Sequence, residues 1–339
     1  MPTLMRAFGL AVVAWSMLAF APGALAQAST PAPASEVRAW LLRIHDAASR
    51  RNFQGTFIVS GGGGVASARI AHFWEGPNQF ERIESLDGRQ RKVFRHNDTV
   101  YTLWPGSHVA MIEQRGLLNS FPALLQAGDD GIADWYDVRA DGTERIAGHE
   151  ADVMIVKARD ASRYGYRLWA DRASGLLLRA DVLGEDGSVL ETSAFSDVVI
   201  GVRSQAESIV HAMKKLDGYR VVKPLLVPTR LEDEGWAMRK VTPGFRQVSC
   251  VRRQMDTASD AATETSVPVV QSIYSDGLTY VSVFIEPYRA DRHGRPIFAT
   301  MGATATLSQR QGDWWITVVG DTPPATLKTF AAALERRKP

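Results

Sequence analysis

The sequence is poor in cysteine, in long apolar runs and in net charge, and each shortage excludes a class of protein. The single Cys250 excludes an intramolecular disulfide, so we expect the hydrophobic core to hold the fold together. A net charge of +2, from 39 basic and 37 acidic residues, gives no global attraction to nucleic acid or acidic lipid. Beyond the N-terminus, no segment approaches the roughly 20 apolar residues of a membrane-spanning helix.

The one apolar run lies at the N-terminus, from Ala7 to Phe20, directly after Arg6. The small residues Ala24-Leu25-Ala26 follow it, and this pattern is typical of a secretory signal that is cut after Ala26. No cysteine follows the cleavage site, which argues against a lipid anchor. We therefore expect a signal peptide at 1–26 and a soluble, exported protein. Export to an envelope space without ATP excludes most ATP-dependent and DNA-binding functions.

The pattern of apolar residues predicts an α+β fold with a sheet-rich first domain. A flexible tether at 27–34 precedes a helix that is expected to begin at Ser35, as N-cap, and to end near Arg51. From Phe53 the period changes to two, which predicts about twelve short strands joined by turns. Because such a sheet must curl, we predict an antiparallel half-open β-barrel that covers a helix at 35–203.

A smaller sheet-and-helix domain is expected at 229–339, after a linker at 204–228 that combines a short helix with a proline-rich connector. The terminal helix of this domain is expected to have Thr322 as its cap and Pro323 at its first position. Its strands are predicted at Trp236–Val241, Arg246–Arg252, Val269–Tyr274, Thr279–Pro287, Ala303–Arg310 and Asp313–Gly320.

No residue pattern indicates catalysis, a metal or a cofactor. The run Gly61–Gly64 lacks the Lys-Ser/Thr pair and the helix of a phosphate loop, so it predicts a hairpin turn. His149-Glu150 begins a zinc-protease string, but Val153 stands where the second histidine would be. A hydrolase with an unrecognised site stays open as an alternative.

The first domain is rich in aromatic residues, and a curled sheet has more apolar surface than one helix can fill. We therefore expect a leftover cavity that suits acyl chains, although any single aromatic residue could belong to the core. The candidate lipid-binding residues are Phe57, Phe73, Trp74, Phe80, Tyr101 and Trp104, with Leu117, Leu118 and Phe121 on a flap over the mouth.

A basic group near the middle of this domain could bind the phosphorylated head group of a glycolipid. It consists of Arg89, Arg91 and Arg95, whose guanidinium groups match phosphate oxygens. The alternative is a solvated strand edge whose charges discourage aggregation.

Four segments, in the right order, resemble the RseB/MucB family of envelope-stress sigma-factor regulators of Gram-negative bacteria. The segments are Asn52–Val59, Tyr166–Arg179, Ser275–Glu286 and Trp315–Pro324. The resemblance implies a soluble periplasmic protein whose first domain is a half-barrel similar to a lipoprotein carrier. It implies a non-enzymatic negative regulator that binds the periplasmic part of a membrane-spanning anti-sigma factor and protects it from site-1 proteolysis. It also implies relief of this protection by lipid or lipopolysaccharide in the first domain, docking through the second domain, and self-association into dimers or larger oligomers.

Partner-binding residues can be suggested only in the second domain, where aromatic and basic residues gather at strand ends. The candidates are Tyr288, Arg289, Arg292, Arg295 and Trp314. The alternative is that Trp314 belongs to the core and that the arginines are solvated.

The competing function for the whole protein is that of a periplasmic lipoprotein or lipid carrier built on the same half-barrel.

Overall fold

The computed structural model describes residues 33–114, 131–255 and 267–337. Within these ranges the chain forms two sheet domains, a short 3₁₀ helix at Pro105–Ser107 and four α-helices: α1 (Ala34–Arg50), α2 (Ile132–Trp135), α3 (Ala206–Lys214) and α4 (Pro324–Ala333). None of the described helices combines the length and the apolar character that crossing a membrane requires. The expected signal peptide, most of the expected tether and the expected flap with Leu117, Leu118 and Phe121 lie outside the described residues.

Twelve strands form the sheet of the first domain. They are β1 (Phe53–Gly61), β2 (Gly64–Glu75), β3 (Asn78–Ser85), β4 (Lys92–His96), β5 (Thr99–Trp104), β6 (Val109–Gln114), β7 (Tyr136–Ile146), β8 (His149–Ala158), β9 (Gly165–Asp171), β10 (Leu177–Leu183), β11 (Val189–Ile200) and β12 (Arg220–Val222). Their order is β12-β6-β5-β4-β3-β2-β1-β11-β10-β9-β8-β7, and β12 pairs with β6 in parallel. The edge strands β7 and β12 do not pair with each other, so the described sheet is open and confirms the predicted half-open barrel.

Helix α1 covers one face of this sheet, which we call the α1 face. Val37, Leu41 and Ile44 recur at three- and four-residue steps and are buried against sheet residues such as Val156 and Leu168. Directly opposed residues of antiparallel strands share a face. The α1 face therefore continues across the sheet through successive cross-strand pairs to β1 and β2.

The opposite side of the sheet, which we call the α3 face, is covered by α3 at the β3–β6 end. Ile209 and Met213 of this helix are buried against Phe73, Phe80 and Phe94. The segment expected as a linker is therefore structured: α3 and β12 belong to the first domain. Only its last strand pairs with the second domain.

The second domain contains a seven-stranded sheet, one helix and a small two-stranded sheet. Its strands are β13 (Leu226–Pro228), β14 (Trp236–Met238), β15 (Arg246–Met255), β16 (Val267–Ser275), β17 (Tyr280–Pro287), β18 (Ile297–Met301), β19 (Thr304–Gln311), β20 (Trp314–Gly320) and β21 (Leu334–Arg336). The large sheet has the order β13-β15-β16-β17-β20-β19-β18, and β14 pairs with β21. Leu327 and Phe330 of α4 are buried against Val283, Ile285 and Ile316 of the large sheet.

Both expected helix caps are wrong. Helix α1 begins after Pro33, and α4 begins after Pro323, neither with a side-chain capping bond; Ser35 lies inside α1. Each of these prolines precedes its helix in an extended conformation, with a fixed φ and no N–H that needs a partner. The proline therefore stands at the cap position where a serine or threonine hydroxyl was expected. Strand β18 was not predicted from the sequence.

Candidate ligand cavity and domain junction

The two domains meet at a buried ion pair. Nη1 of Arg163, in the β8–β9 connection, donates to Oδ2 of Asp276 at 2.9 Å, and the two side chains are inaccessible to solvent. Tyr136 donates its hydroxyl to the same oxygen at 2.8 Å. Burial raises the pKa of Asp276, while its hydrogen-bond donors and Arg163 oppose that shift. Four hydrogen-bond donors surround this carboxylate, and they favour its ionised form.

Aromatic rings and a glycine complete the junction around Arg163. The Cζ atom of Arg163 lies 4.8 Å from the ring centroid of Trp135 and 5.2 Å from that of Phe245. Nη2 donates to the carbonyl of Pro243 at 2.5 Å. The next residue, Gly244, has φ +84°, and a Cβ there would lie 2.7 Å from Trp135 Cε2. The close approach of the domains therefore requires glycine at this position.

The turn between β16 and β17 inserts into the first domain. Oδ1 of Asp276 accepts hydrogen bonds from the backbone N–H groups of Leu278 and Thr279, at 3.0 and 2.9 Å, which shapes this turn. Leu278 is buried in the same cluster as Leu41 and Ile44 of α1. Leu278 of the second domain thus covers part of the α1 face.

The rest of the α1 face beside this turn is hollow. A cavity of about 440 Å³ lies there, within the range of roughly 300–1,000 Å³ of small-molecule sites. Leu278, Tyr280 and Asp321 of the second domain form part of its wall. The first domain contributes Phe57, Val59, Ala66, Ser67, Ala68, Ile83, Ser85, Asp87, Arg91, Tyr166, Ala180, Val182, Glu191 and Ser193. The wall is therefore mostly apolar and belongs to both domains.

Glu191 and Asp321 lie on the junction side of the cavity, whereas Asp87 and Arg91 lie on the side of β2 and β3. Burial raises the pKa of Asp321, and the hydroxyl of Thr304, which donates to Oδ1 at 2.6 Å, opposes that shift. Burial and the nearby Asp321 raise the pKa of Glu191, while the Ala303 N–H lowers it. Burial and these two acids raise the pKa of Tyr280 to about 12. The junction side is acidic and does not favour a phosphate group.

The structure separates the predicted lipid-binding residues into two groups. Phe57 lines the cavity. Phe73 and Phe80 are buried on the α3 face, and Tyr101 packs against the same cluster. Trp74 and Trp104 are partly buried and do not line the cavity. The physical reason is alternation along each strand, which sends neighbouring aromatic residues to opposite faces.

The predicted basic group is also divided. Arg91 lines the cavity and is exposed, so it can reach a ligand at the mouth. Arg89 is exposed outside the strands and does not line the cavity. Arg95 lies opposite Glu81 across β3 and β4, and burial raises the pKa of Glu81 while Arg95 lowers it.

The predicted partner-binding residues lie on both sides of the second sheet. Tyr288 packs near His293 and Trp315, and Arg310 lies 4.0 Å from the Tyr288 ring centroid. Trp314 instead packs edge-on against Trp236, with ring centroids 5.6 Å apart. Arg289 forms an ion pair with Asp291, while Arg292 and Arg295 are exposed in the same loop.

Sequence reasoning missed the contribution of the second domain to the cavity. Leu278, Tyr280 and Asp321 are far from the first domain in the chain, and no periodicity indicates that they face it. In the sequence, the turn that begins at Ser275 is notable only for its family resemblance. An apolar residue at the tip of a tight turn was the one available signal.

The described residues give no support to metal or thiol chemistry. No group of three or more potential metal ligands occurs among them. Cys250 is half-buried, and burial raises the pKa of its thiol to about 11. The thiolate is therefore scarce at neutral pH.

Comparison with known proteins covers nearly the whole chain. Residues 36–213 match the MucB/RseB N-terminal domain, and residues 230–335 match the MucB/RseB C-terminal domain. The chain is 29% identical over 313 residues to the sigma factor AlgU regulatory protein MucB of Pseudomonas aeruginosa, covering 89% of this chain and 91% of that protein. It is 27% identical to the sigma-E factor regulatory protein RseB of Escherichia coli K12, covering 94% and 96%.

A solved structure supports the fold across both domains. The complex structure of Pseudomonas aeruginosa MucA/MucB is similar with a TM-score of 0.67 at 27% identity, covering 91% of this chain and 100% of the matched chain. A structure of MucB in complex with MucA(peri) gives a TM-score of 0.65 at 28% identity, with the same coverage. The two matched domains, in this order and on this fold, show that the chain belongs to the MucB/RseB family of sigma-factor regulatory proteins.

Proposed function

We propose that this chain is a non-enzymatic periplasmic negative regulator of an envelope-stress sigma factor. It binds the periplasmic segment of a membrane-spanning anti-sigma factor and protects that segment from site-1 proteolysis. Lipid or lipopolysaccharide binding relieves the protection. The relatives named as sigma factor regulatory proteins, and the MucB structures in complex with MucA, support the partner.

The observation that carries the proposal is the shared wall of the cavity. A ligand that fills it contacts Phe57 of the first domain and Leu278 and Tyr280 of the second at once. Such a ligand has a different affinity for arrangements in which the two domains are closer or farther apart. Only a difference of this kind allows a ligand to shift an equilibrium between bound and released partner.

The chemistry of the cavity suits an acyl chain with its head group outside. The apolar wall accepts the chain, and burying each methylene group contributes about 0.8 kcal/mol. The acidic pair Glu191 and Asp321 at the junction disfavours a phosphate there. A phosphorylated head group therefore belongs at the exposed Arg91.

The direct test is protection of the cognate anti-sigma factor's periplasmic segment from its site-1 protease. We expect slower cleavage in the presence of this protein, and faster cleavage again when lipopolysaccharide is added. Cleavage that is unaffected by the protein would contradict the regulatory proposal. Protection that persists with lipopolysaccharide would contradict only the lipid relief.

A periplasmic lipid or lipoprotein carrier is the second candidate, because the same cavity could transport an acyl chain. Affinity capture from an envelope extract separates the two functions. A single-pass inner-membrane protein supports the regulator, whereas a set of lipoproteins supports the carrier. We also propose that the protein self-associates, which light scattering can measure.

A further inference from the structure

Three of the four edges of the two large described sheets are protected against pairing with another strand. Strand β12 has three residues and includes Arg220. Strand β7 contains five charged residues and a register shift between Ala140 and Thr143. Strand β13 has three residues and ends at Pro228. Short length, charge, irregularity and proline are the usual means of blocking an edge.

Strand β18, the fourth edge, is five residues long and has no charged residue and no proline to block pairing. Its sequence from Ile297 to Met301 contains no charge and no proline, and all five residues are exposed. Three large apolar side chains are unusually accessible, with Ile297 55%, Phe298 46% and Met301 72% exposed. An apolar and uncharged edge of this kind is a template for strand addition.

The turn after β18 decides which backbone groups are available. Gly302, with φ +61°, and Ala303 form a two-residue hairpin loop, so Met301 and Thr304 close it as a hydrogen-bonded pair. Hydrogen-bonded and non-bonded pairs alternate along an antiparallel ladder. The N–H and C=O groups of Phe298 and Thr300 therefore point away from β19. In the described structure they have no backbone partner.

Positive charge flanks the beginning of this edge, whereas the acidic Glu191 and Asp321 lie beside the turn at its other end. Arg292 and Arg295 are exposed in the loop that leads into β18. Lys328 of α4 lies with Nζ 5.7 Å from the ring centroid of Phe298. The acidic residue of the loop, Asp291, is paired with Arg289 and also interacts electrostatically with Arg292. Since Arg295 and Lys328 add further positive charge, an extended segment passing along β18 would meet a net positive surface, which acidic side chains complement.

We propose that β18 binds its protein partner by strand addition, pairing with an extended segment that is apolar at alternate positions and carries acidic residues. The segment pairs with the outward groups of Phe298 and Thr300. Its apolar side chains cover Ile297 and Met301, and its acidic ones face Arg292, Arg295 and Lys328. This inference rests on the proposed function, in which the partner is the periplasmic segment of the anti-sigma factor.

The test compares Thr300→Pro with Thr300→Val, using binding of the cognate anti-sigma periplasmic segment by isothermal titration calorimetry. Proline removes the outward N–H and leaves the β19 pairing intact, whereas valine keeps the N–H. We expect Thr300→Pro to raise the Kd about tenfold or more, and Thr300→Val to leave it within about twofold. Circular dichroism melting checks that each variant is folded.

A second pair of variants covers the case in which Thr300→Pro does not fold. The double variant Arg292→Glu/Arg295→Glu should raise the Kd about tenfold and weaken its dependence on salt. The double variant Arg203→Glu/Lys223→Glu has the same charge change at exposed positions elsewhere, and we expect it to bind normally.

The outcomes separate this inference from the proposed function. If the wild-type protein does not bind the segment, the proposed function fails. If the wild type binds and neither the folded proline variant nor the charge reversal weakens binding, the strand-addition inference is overturned. It is also overturned if Thr300→Pro leaves binding intact and instead converts an oligomer to a monomer, because β18 then pairs with a second copy of this chain.

Discussion

Arg163 of the first domain and Asp276 of the second form an ion pair with 2.9 Å between Nη1 and Oδ2 and no solvent access to either side chain. Removing one member of such a pair leaves a buried charge without compensation. We expect Asp276→Asn, which can still accept the turn hydrogen bonds at Oδ1, to lower the free energy of unfolding by about 3–5 kcal/mol.

Urea denaturation measures this loss, and the exposed pair Arg230–Asp233 provides the control. Asp233→Asn should change stability very little, because exposed ion pairs contribute little. Equal losses of unfolding free energy for Asp276→Asn and Asp233→Asn would show that the buried junction pair contributes no more than an exposed pair.

A comparison of Gly244→Ala with Gly142→Ala distinguishes the cost of backbone strain from the cost of steric overlap at the domain junction. Gly244 and Gly142 both have φ +84°, but a Cβ at Gly142 would meet no atom within 4 Å. Gly142→Ala should therefore cost only the left-handed backbone, about 1–2 kcal/mol. We expect Gly244→Ala to cost at least about 2 kcal/mol more, because Trp135 and Arg163 must move. Thermal unfolding of both variants tests this, and similar midpoints would contradict it.

Filling the cavity should block acyl-chain binding without unfolding the protein. Val182 lines the cavity, whereas Val199 is 56% exposed on the other face of the sheet. We expect Val182→Trp to weaken binding of a fluorescent long-chain fatty acid about tenfold or more, and Val199→Trp to have no effect. Equal affinities for the two variants would place the lipid outside this cavity.

The two aromatic groups should respond in opposite ways to truncation. Phe73 is buried under α3, so Phe73→Ala should lower the free energy of unfolding by about 3–5 kcal/mol. The protein that stays folded should bind fatty acid with nearly unchanged affinity. Phe57→Ala removes cavity wall, so it should weaken fatty-acid binding and destabilise less. Fatty-acid titration and urea denaturation on both variants are the measurements, and a large loss of lipid affinity in the Phe73 variant would count against the assignment.

Asp321 predicts a pH dependence of stability. Its pKa is raised in the folded protein, so the folded state holds the proton more tightly than the unfolded chain does. This contribution is complete below the ordinary carboxyl pKa of about 4 and is lost as pH rises through the raised pKa. Asp321→Asn, compared with wild type, should therefore become relatively more stable as pH rises from about 4 toward neutral.

Asp186 is the control of opposite sign. Hydrogen bonds from Ser188 lower the pKa of Asp186, so its contribution is present above the ordinary pKa and lost as pH falls. Asp186→Asn should therefore lose relative stability as pH rises. Urea denaturation across the pH series measures both trends, and a pH-independent difference for Asp321→Asn would refute the prediction.

Local patterns were sufficient for most elements of the fold. The stripe containing Val37, Leu41 and Ile44 predicted α1, and the change to period two at Phe53 predicted the start of the sheet. These patterns work because burial on one side of a helix or strand imposes its own periodicity on the sequence. Strand β18 was not predicted because an edge strand exposed on both faces shows no alternation of apolar and polar residues.

The sequence by itself determined the family, the order of the two domains and the half-open sheet, because each depends on local periodicity and short motifs. Only the tertiary structure decided that Phe57 faces the cavity while Phe73 and Phe80 face α3. It also decided that Leu278 and Asp321 help to form the cavity, and that Arg163 meets Asp276. These relationships depend on the curl of the sheet and on contacts between residues more than a hundred positions apart, which no local pattern encodes.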